Sequence, residues 1–143
     1  MKKSNVIFLC THNQARSQMA EAFLRKYGGE RFNAFSAGFE KRDIHPFTKK
    51  VMKEKGFELK TQYSKELKEF IGGKKFEFII TVCSKAEELC PTLPGVNERI
   101  SWDIEDPLAF EGGEEEKLEK FREVRDIIEE KTKELVDEQQ SKE

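Results

Sequence analysis

The sequence predicts an α/β domain built on a four-stranded parallel sheet with helices on both faces. Val6-Ile7-Phe8-Leu9-Cys10 is a continuous apolar run, which suits a strand buried on both faces rather than one. Strand-like and helix-like patterns alternate from there to the C-terminus, as parallel crossovers require. The length of 143 residues suits one domain over 1–143, with a tail from about Glu138 expected to fray.

Each element has its own signal. Polar Thr11 to Ala15 follow the first strand, and a helix starts near Arg16. In it Met19, Ala20, Phe23 and Tyr27 recur at three- and four-residue steps, and Gly28-Gly29 ends it. Phe32 to Ser36 is a second short strand, closed by Ala37-Gly38. Pro46 to Lys55 is a second helix, with Pro at its start and Gly56 just past its end. Ser64 is a candidate N-cap for a shorter helix reaching Ile71. Phe76 to Val82 is the third strand and Glu98 to Trp102 a weaker fourth. Glu114 to Gln139 is a long helix whose inward stripe is Leu118, Phe121, Val124, Arg125, Ile128, Thr132 and Leu135, with Arg125 and Thr132 as polar interruptions. No internal repeat or low-complexity linker interrupts the order.

Composition narrows the function. Charged residues make up 38%, yet 26 basic and 28 acidic residues leave a formal net charge of −2 and no basic stripe for nucleic acid. No apolar run approaches the ~18 residues that span a bilayer, and the one behind basic Met1-Lys2-Lys3 is too short for a signal peptide. The expected location is the cytoplasm, where thiols stay reduced. Three cysteines do not make a disulfide framework, which leaves chemistry, metal binding or plain burial.

The first strand delivers Cys10 to its carboxyl end, the rim where open parallel sheets bind ligands. The segment there is Cys10-Thr11-His12-Asn13-Gln14-Ala15-Arg16-Ser17, with a helix directly behind it. A loop over a helix N-terminus can turn several amides toward one centre and hold a tetrahedral oxyanion. Arg16 adds a planar fork for two of its oxygens. The same positive field favours the thiolate of Cys10, and Ser17 can donate a hydroxyl to it. The candidate oxyanion-binding residues are therefore Thr11, His12, Asn13, Gln14, Ala15, Arg16 and Ser17, with Cys10 as nucleophile. The bland alternative is a buried strand-end cysteine beside a surface arginine.

Cys83 also follows a strong strand and so reaches the same rim, and six residues separate it from Cys90. A flexible loop of that size could bring the two sulfurs together. A zinc half-site of Cys83, Cys90, His12 and His45 competes poorly, because the spacing is not the usual two to four. Buried filler is the other alternative.

VIFLCTHNQARSQMAEAF and the later Phe35-Ser36-Ala37-Gly38 resemble the phosphate-binding loop and first helix of the low-molecular-weight tyrosine phosphatase fold. ITVCSKAEELCPTLPG resembles the redox loop of thioredoxin-coupled arsenate reductases, as do Ser101 to Pro107 and the helix around Phe121 to Asp126. The resemblance spans nearly the whole chain. It implies that Cys10 attacks arsenate held by Arg16, that Asp106 protonates the leaving oxygen, and that Cys83 then Cys90 carry the disulfide outward to thioredoxin. Phosphate or sulfate would compete for the loop, weak phosphatase activity would accompany the main one, and the protein would act as a monomer without a cofactor. Leu108 and Ala109 follow Asp106-Pro107 where phosphatases of this fold place aromatic residues.

Three departures from that pattern matter. His12 stands at a usual glycine and reads as loop-shaping, and Ala15 stands where some members carry an extra, non-relay cysteine. Asn13, Glu21 and Ser36 match the resembled potassium-binding set, but the acidic fourth ligand near Ser64-Lys65 is missing, so no resident metal is expected and Lys65 would take part of its role. A low-molecular-weight tyrosine phosphatase with redox-protective cysteines is the alternative enzyme, and an oxyanion sensor without turnover is the alternative non-enzyme.

Overall fold

A computed structural model describes residues 3–70, 73–90, 92 and 95–141. Four parallel strands, β1 (Ser4–Cys10), β2 (Phe32–Gly38), β3 (Phe78–Thr81) and β4 (Glu98–Ser101), form one sheet in the order β2-β1-β3-β4. The helices are α1 (Arg16–Gly28), α2 (Pro46–Glu54), α3 (Ser84–Leu89) and α4 (Glu114–Ser141). The four-stranded parallel sheet flanked by helices is the architecture expected from the alternation of patterns.

The register explains the layers. Parallel partners share a face, so Phe8 stands with Ser36 and Ile80, and Ile7 with Phe35 and Ile79. The Phe8 face packs against α1 and α4: Gly28, at the end of α1, is walled by Leu24, by Phe32 of β2 and by Val136 of α4. Trp102 extends this face beyond β4 and meets Phe8 at 5.6 Å between ring centroids. On the Ile7 face, Phe35 packs edge-on against Phe70 and Phe76, and Thr81 bonds to Glu87 of α3. Central β1 is fully covered from Val6 to Leu9, which is why that stretch is apolar at every position.

Several boundaries differ from expectation. Strand pairing in β3 covers only Phe78–Thr81, because Phe76 turns into the aromatic cluster instead of extending the ladder. In place of a helix from Ser64 to Ile71 there is one 3-10 turn, Leu67–Glu69, capped by Glu66. Ser64 donates its hydroxyl to the His12 carbonyl instead of capping; Ile71 lies outside the described residues. Helix α4 runs past Glu138 to Ser141, and Lys142 and Glu143 lie outside the described residues. The stretch between Cys83 and Cys90 is a short helix, not an open loop. No helix among the described residues is long and apolar enough to cross a membrane.

The two polar interruptions of α4 are satisfied where they are buried. Arg125 donates to the Val51 carbonyl and to Glu54, and Thr132 donates to the Ile128 carbonyl. Glu129, which the apolar stripe did not include, is also buried and accepts from Tyr27 at 2.5 Å and from Lys55. Burial works to raise Glu129, but the bonds from Lys55 and Tyr27 win and hold its carboxyl below the usual range. The same bond, with burial, pushes the Tyr27 phenol up to about 12. A raised pKa means the contribution is complete below the unfolded value near 10 and disappears as pH rises through about 12. Tyr27→Phe should therefore cost about 1 kcal/mol in urea unfolding at pH 8, and its gap to the parent should close between pH 10 and 12. A gap that does not change with pH would show that the phenol–carboxylate bond contributes nothing.

Candidate active site

The loop between β1 and α1 gets its shape from where its carbonyls go. The Thr11 carbonyl accepts from the Phe39 and Glu40 amides at 2.9 and 3.1 Å. The His12 carbonyl accepts from the Arg42 amide and from Ser64, the Asn13 carbonyl from Gln18, and the Gln14 carbonyl from the His45 amide and Thr48. Every one of these partners lies outside the loop. In a trans peptide the N–H points opposite the C=O of the same unit, so four outward carbonyls turn the amides of His12, Asn13, Gln14 and Ala15 inward.

Asn13 is the pin of this arrangement. It has φ 54°, a conformation that asparagine tolerates far better than branched residues, and its side chain is fully buried. Its amide nitrogen donates to Ser17 at 2.8 Å and Ser36 at 3.0 Å. Its amide oxygen accepts from Gln18 at 2.8 Å and from the Lys65 backbone at 2.9 Å. Ser36 in turn donates to Glu21 at 2.6 Å. Gln18 and Gly38 are contributors the sequence reading did not single out as site residues. A hydrogen-bonding side chain in the first turn of a helix carries no distinctive pattern. Gly38 did have a signal, a glycine closing a strand.

The cavity beneath these amides has a volume of about 90 Å³ and is lined by Cys10, Thr11, His12, Gln14, Ala15, Arg16, Asp106 and Leu108. Asn13 and Ser17 stand behind it: the Ser17 oxygen accepts from Asn13, which leaves its own proton to donate. Ala15 caps α1 without a side-chain hydrogen bond, and the first turn of α1 holds no acidic residue. The positive end of the helix is thus unclaimed by the chain. Arg16 is buried, donates one arm to the Ile104 carbonyl at 2.7 Å and turns the other toward Asp106 at 3.7 Å. Asp106 is half exposed and caps the turn Pro107–Ala109 through the Leu108 amide. A small cavity with inward amides, a buried guanidinium and a thiol at the strand end suits a compact tetrahedral oxyanion.

His12 reaches Glu40 at 3.8 Å, in keeping with a loop-shaping role. His45 caps α2 by accepting the Phe47 amide on Nδ1 and packs between Phe47 and Phe121, so its ring is engaged away from both cysteines. Among the described residues no three His, Cys, Asp or Glu side chains gather as a metal site, and the zinc alternative does not assemble.

Lys65 is buried beside Asn13, Glu21 and Ser36. Its ammonium donates to the Tyr63 carbonyl at 2.7 Å and stands 3.7 Å from Glu21, which also pairs with Arg25 at 2.6 Å. Burial pulls the Lys65 amine below the ordinary lysine range, with Glu21 pulling the other way. A cation tethered to the chain sits where the resemblance would seat a potassium ion.

Cys83 lies within hydrogen-bonding reach of Thr11, its sulfur 3.6 Å from the hydroxyl, one residue from Cys10. It caps α3 by accepting the Ala86 amide at 3.4 Å. Cys90 closes the other end of α3 and is buried, and burial pushes its thiol up, against an opposing pull from Arg99. No disulfide joins the three cysteines.

The model of the low molecular weight phosphotyrosine protein phosphatase family matches residues 5–143. The chain is 40% identical over 128 residues to an arsenate reductase of Halalkalibacterium halodurans, covering 90% of this chain and 91% of that one. It resembles a solved arsenate reductase in the phosphate binding state, at 29% identity and a TM-score of 0.74 over 94% of this chain and 98% of that one. It also resembles a thioredoxin-dependent arsenate reductase of Corynebacterium glutamicum, at 25% identity and a TM-score of 0.75 over 99% of this chain and 64% of that one.

Gly38 tests the cradle. A methyl group there would meet the Thr11 oxygen at 2.8 Å and the Asn13 nitrogen and His12 carbon at 2.9 Å, all backbone. Gly38→Ala should weaken phosphate binding about ten-fold or more in calorimetry, at a stability cost of ~1–3 kcal/mol. Gly73→Ala, with nothing within 4 Å, should leave both unchanged. Parental affinity in Gly38→Ala would mean that the close strand–loop approach does not shape the site.

Proposed function

The chain belongs to the arsenate reductases of the low-molecular-weight phosphotyrosine protein phosphatase family, and from that premise we propose that it reduces arsenate to arsenite through Cys10, Cys83 and Cys90. The observation that carries this reading is the position of Cys83, its sulfur hydrogen-bonded to Thr11 beside the anion cavity. A phosphatase needs the cradle and one thiol; only a two-electron reduction needs a second thiol at its rim.

The proposed sequence balances. Arsenate binds under the amides of the loop, with Arg16 turning from Asp106 toward two of its oxygens. The Cys10 thiolate attacks arsenic, and one arsenate oxygen leaves as water with a proton from Asp106. The Cys83 thiolate then attacks the Cys10 sulfur. A Cys10–Cys83 disulfide forms, the sulfur–arsenic bond breaks with its electron pair going to arsenic, and arsenite departs. Cys90 loses its proton to solvent and its thiolate attacks Cys83, so that a Cys83–Cys90 disulfide forms and Cys10 leaves as thiolate. A dithiol protein of the thioredoxin class reduces the final disulfide. This partner is supported by the named dependence of the Corynebacterium relative, and such exchange suits the reducing cytoplasm.

The last exchange requires a change of shape. Seven residue steps of helix hold the Cα atoms of Cys83 and Cys90 about 10 Å apart, whereas a disulfide needs less than ~7 Å. Helix α3 must therefore unwind before Cys90 reaches Cys83.

Stoichiometric arsenate without reductant should yield one equivalent of arsenite and a Cys83–Cys90 disulfide with Cys10 alkylatable, read by peptide mass mapping. Cys90→Ser should stop at Cys10–Cys83, and Cys83→Ser should give no arsenite. Asp106→Asn should slow turnover by roughly 10²–10⁴. Slow aryl phosphate hydrolysis should survive in Cys83→Ser and Cys90→Ser and vanish in Cys10→Ser. Three unmodified thiols after arsenate, alongside fast aryl phosphate turnover, would make the chain a phosphatase.

A further inference from the structure

Helix α3 is too short to persist by itself, since isolated helices under ~12–15 residues are marginal in water. What holds it is a tie to the two neighbouring strands. Thr81, fully buried in β3, donates its hydroxyl to one Glu87 carboxylate oxygen at 2.7 Å. Arg99, on edge strand β4, meets the other oxygen at 3.2 Å. The same Arg99 nitrogen donates to the Glu87 carbonyl at 2.9 Å and reaches the Cys90 carbonyl at 3.4 Å. These are carbonyls of the last turn, groups that a helix end leaves without intrahelical partners. Arg99 is therefore a C-cap supplied from another strand, and Glu87 is the peg by which α3 hangs on the sheet.

We infer that Thr81, Glu87 and Arg99 are positioning residues that keep α3 wound in the reduced protein and so reserve Cys83 for Cys10. The inference rests on the proposed relay. While the tie holds, Cys90 is held a helix length from Cys83, and the two thiols cannot pair before Cys83 has attacked Cys10. A direct Cys83–Cys90 disulfide would spend the electron pair that arsenate needs and leave the enzyme inactive until a dithiol partner reduces it again. Once Cys83 is drawn into the Cys10–Cys83 disulfide, its sulfur turns away from the Ala86 amide that it accepts in the reduced protein, and the helix loses its other end.

The test needs no arsenate. The reduced full chain is treated with diamide, which takes two electrons and two protons from a pair of thiols as their disulfide forms, and pairing is followed by mass mapping. Arg99→Met and Thr81→Val cut the tie at opposite ends, and both should form Cys83–Cys90 roughly five- to ten-fold faster than the parent. Arg99→Lys, which keeps the charge but not the planar fork, should fall between. Alkylation of Cys10 should stay at the parental rate in all of them, which general loosening would not allow. Equal Cys83–Cys90 rates in parent and variants, or Cys10 reactivity rising in step, would overturn the inference. An arsenate arm separates it from the proposed activity. If the parent makes no arsenite but Arg99→Met still pairs its thiols faster, the tie stands and the reductase reading fails. If the parent makes arsenite and the variants do not pair faster, the reductase reading stands and the tie fails.

Discussion

The structure around the cavity depends on one conformational constraint: Asn13 holds a left-handed backbone while all of its side-chain hydrogen-bonding capacity is used. Without the reversal at that residue, the carbonyls of Thr11 through Gln14 could not all reach partners outside the loop. The same bonds couple the loop to β2, to the segment at Lys65 and to the first turn of α1. An anion site of inward amides is otherwise unfavourable, because aligned donors repel and a buried N–H without an acceptor costs free energy. The outward carbonyls offset that cost before any ligand arrives, which is what preorganisation means physically.

The charges beneath the loop obey the same economy. Glu21 is buried and would be strongly destabilising alone, but Arg25, Ser36 and Lys65 surround it. Because Lys65 is covalently part of the chain, its cation is present at any salt concentration, and its burial is repaid by Glu21 and by the Tyr63 carbonyl and ring. The loop's support thus includes charges that the chain itself supplies.

Legibility followed the range of the interactions. β1, the anion loop and α1 were readable because a doubly buried strand, a helix start and the Cys10 to Arg16 spacing are all local in the chain. The inward stripe of α4 was readable for the same reason, Arg125 and Thr132 included. Glu129 was not, because its partners Lys55 and Tyr27 are far away in sequence. Helix α3 differs from the open loop expected there: Lys85 to Leu89 are good helix formers, but six residues are too few to wind alone, the N-cap is a cysteine, an uncommon capping residue, and the C-terminal carbonyls are answered from β4. The turn after Ser64 was misread because the Ser64 hydroxyl serves the His12 carbonyl, a bond that only the folded chain creates.

The shortness of α3 has a mechanical consequence. A six-residue helix whose last carbonyls are answered from another strand is one whose helicity can be withdrawn, since removing a few distant contacts removes much of what holds it. The loop at Cys10 is the opposite case, with seven separate hydrogen bonds drawing its carbonyls outward. In the proposed relay, the nucleophile on the loop and its two successors at the ends of α3 would divide the chemistry by mechanical stiffness. Oxyanion recognition demands fixed donors, while passing a disulfide from one sulfur to the next demands that backbone move by several ångströms. A single small sheet meets both demands because β1 and β3 are adjacent, so the stiff loop and the yielding helix leave the same rim side by side.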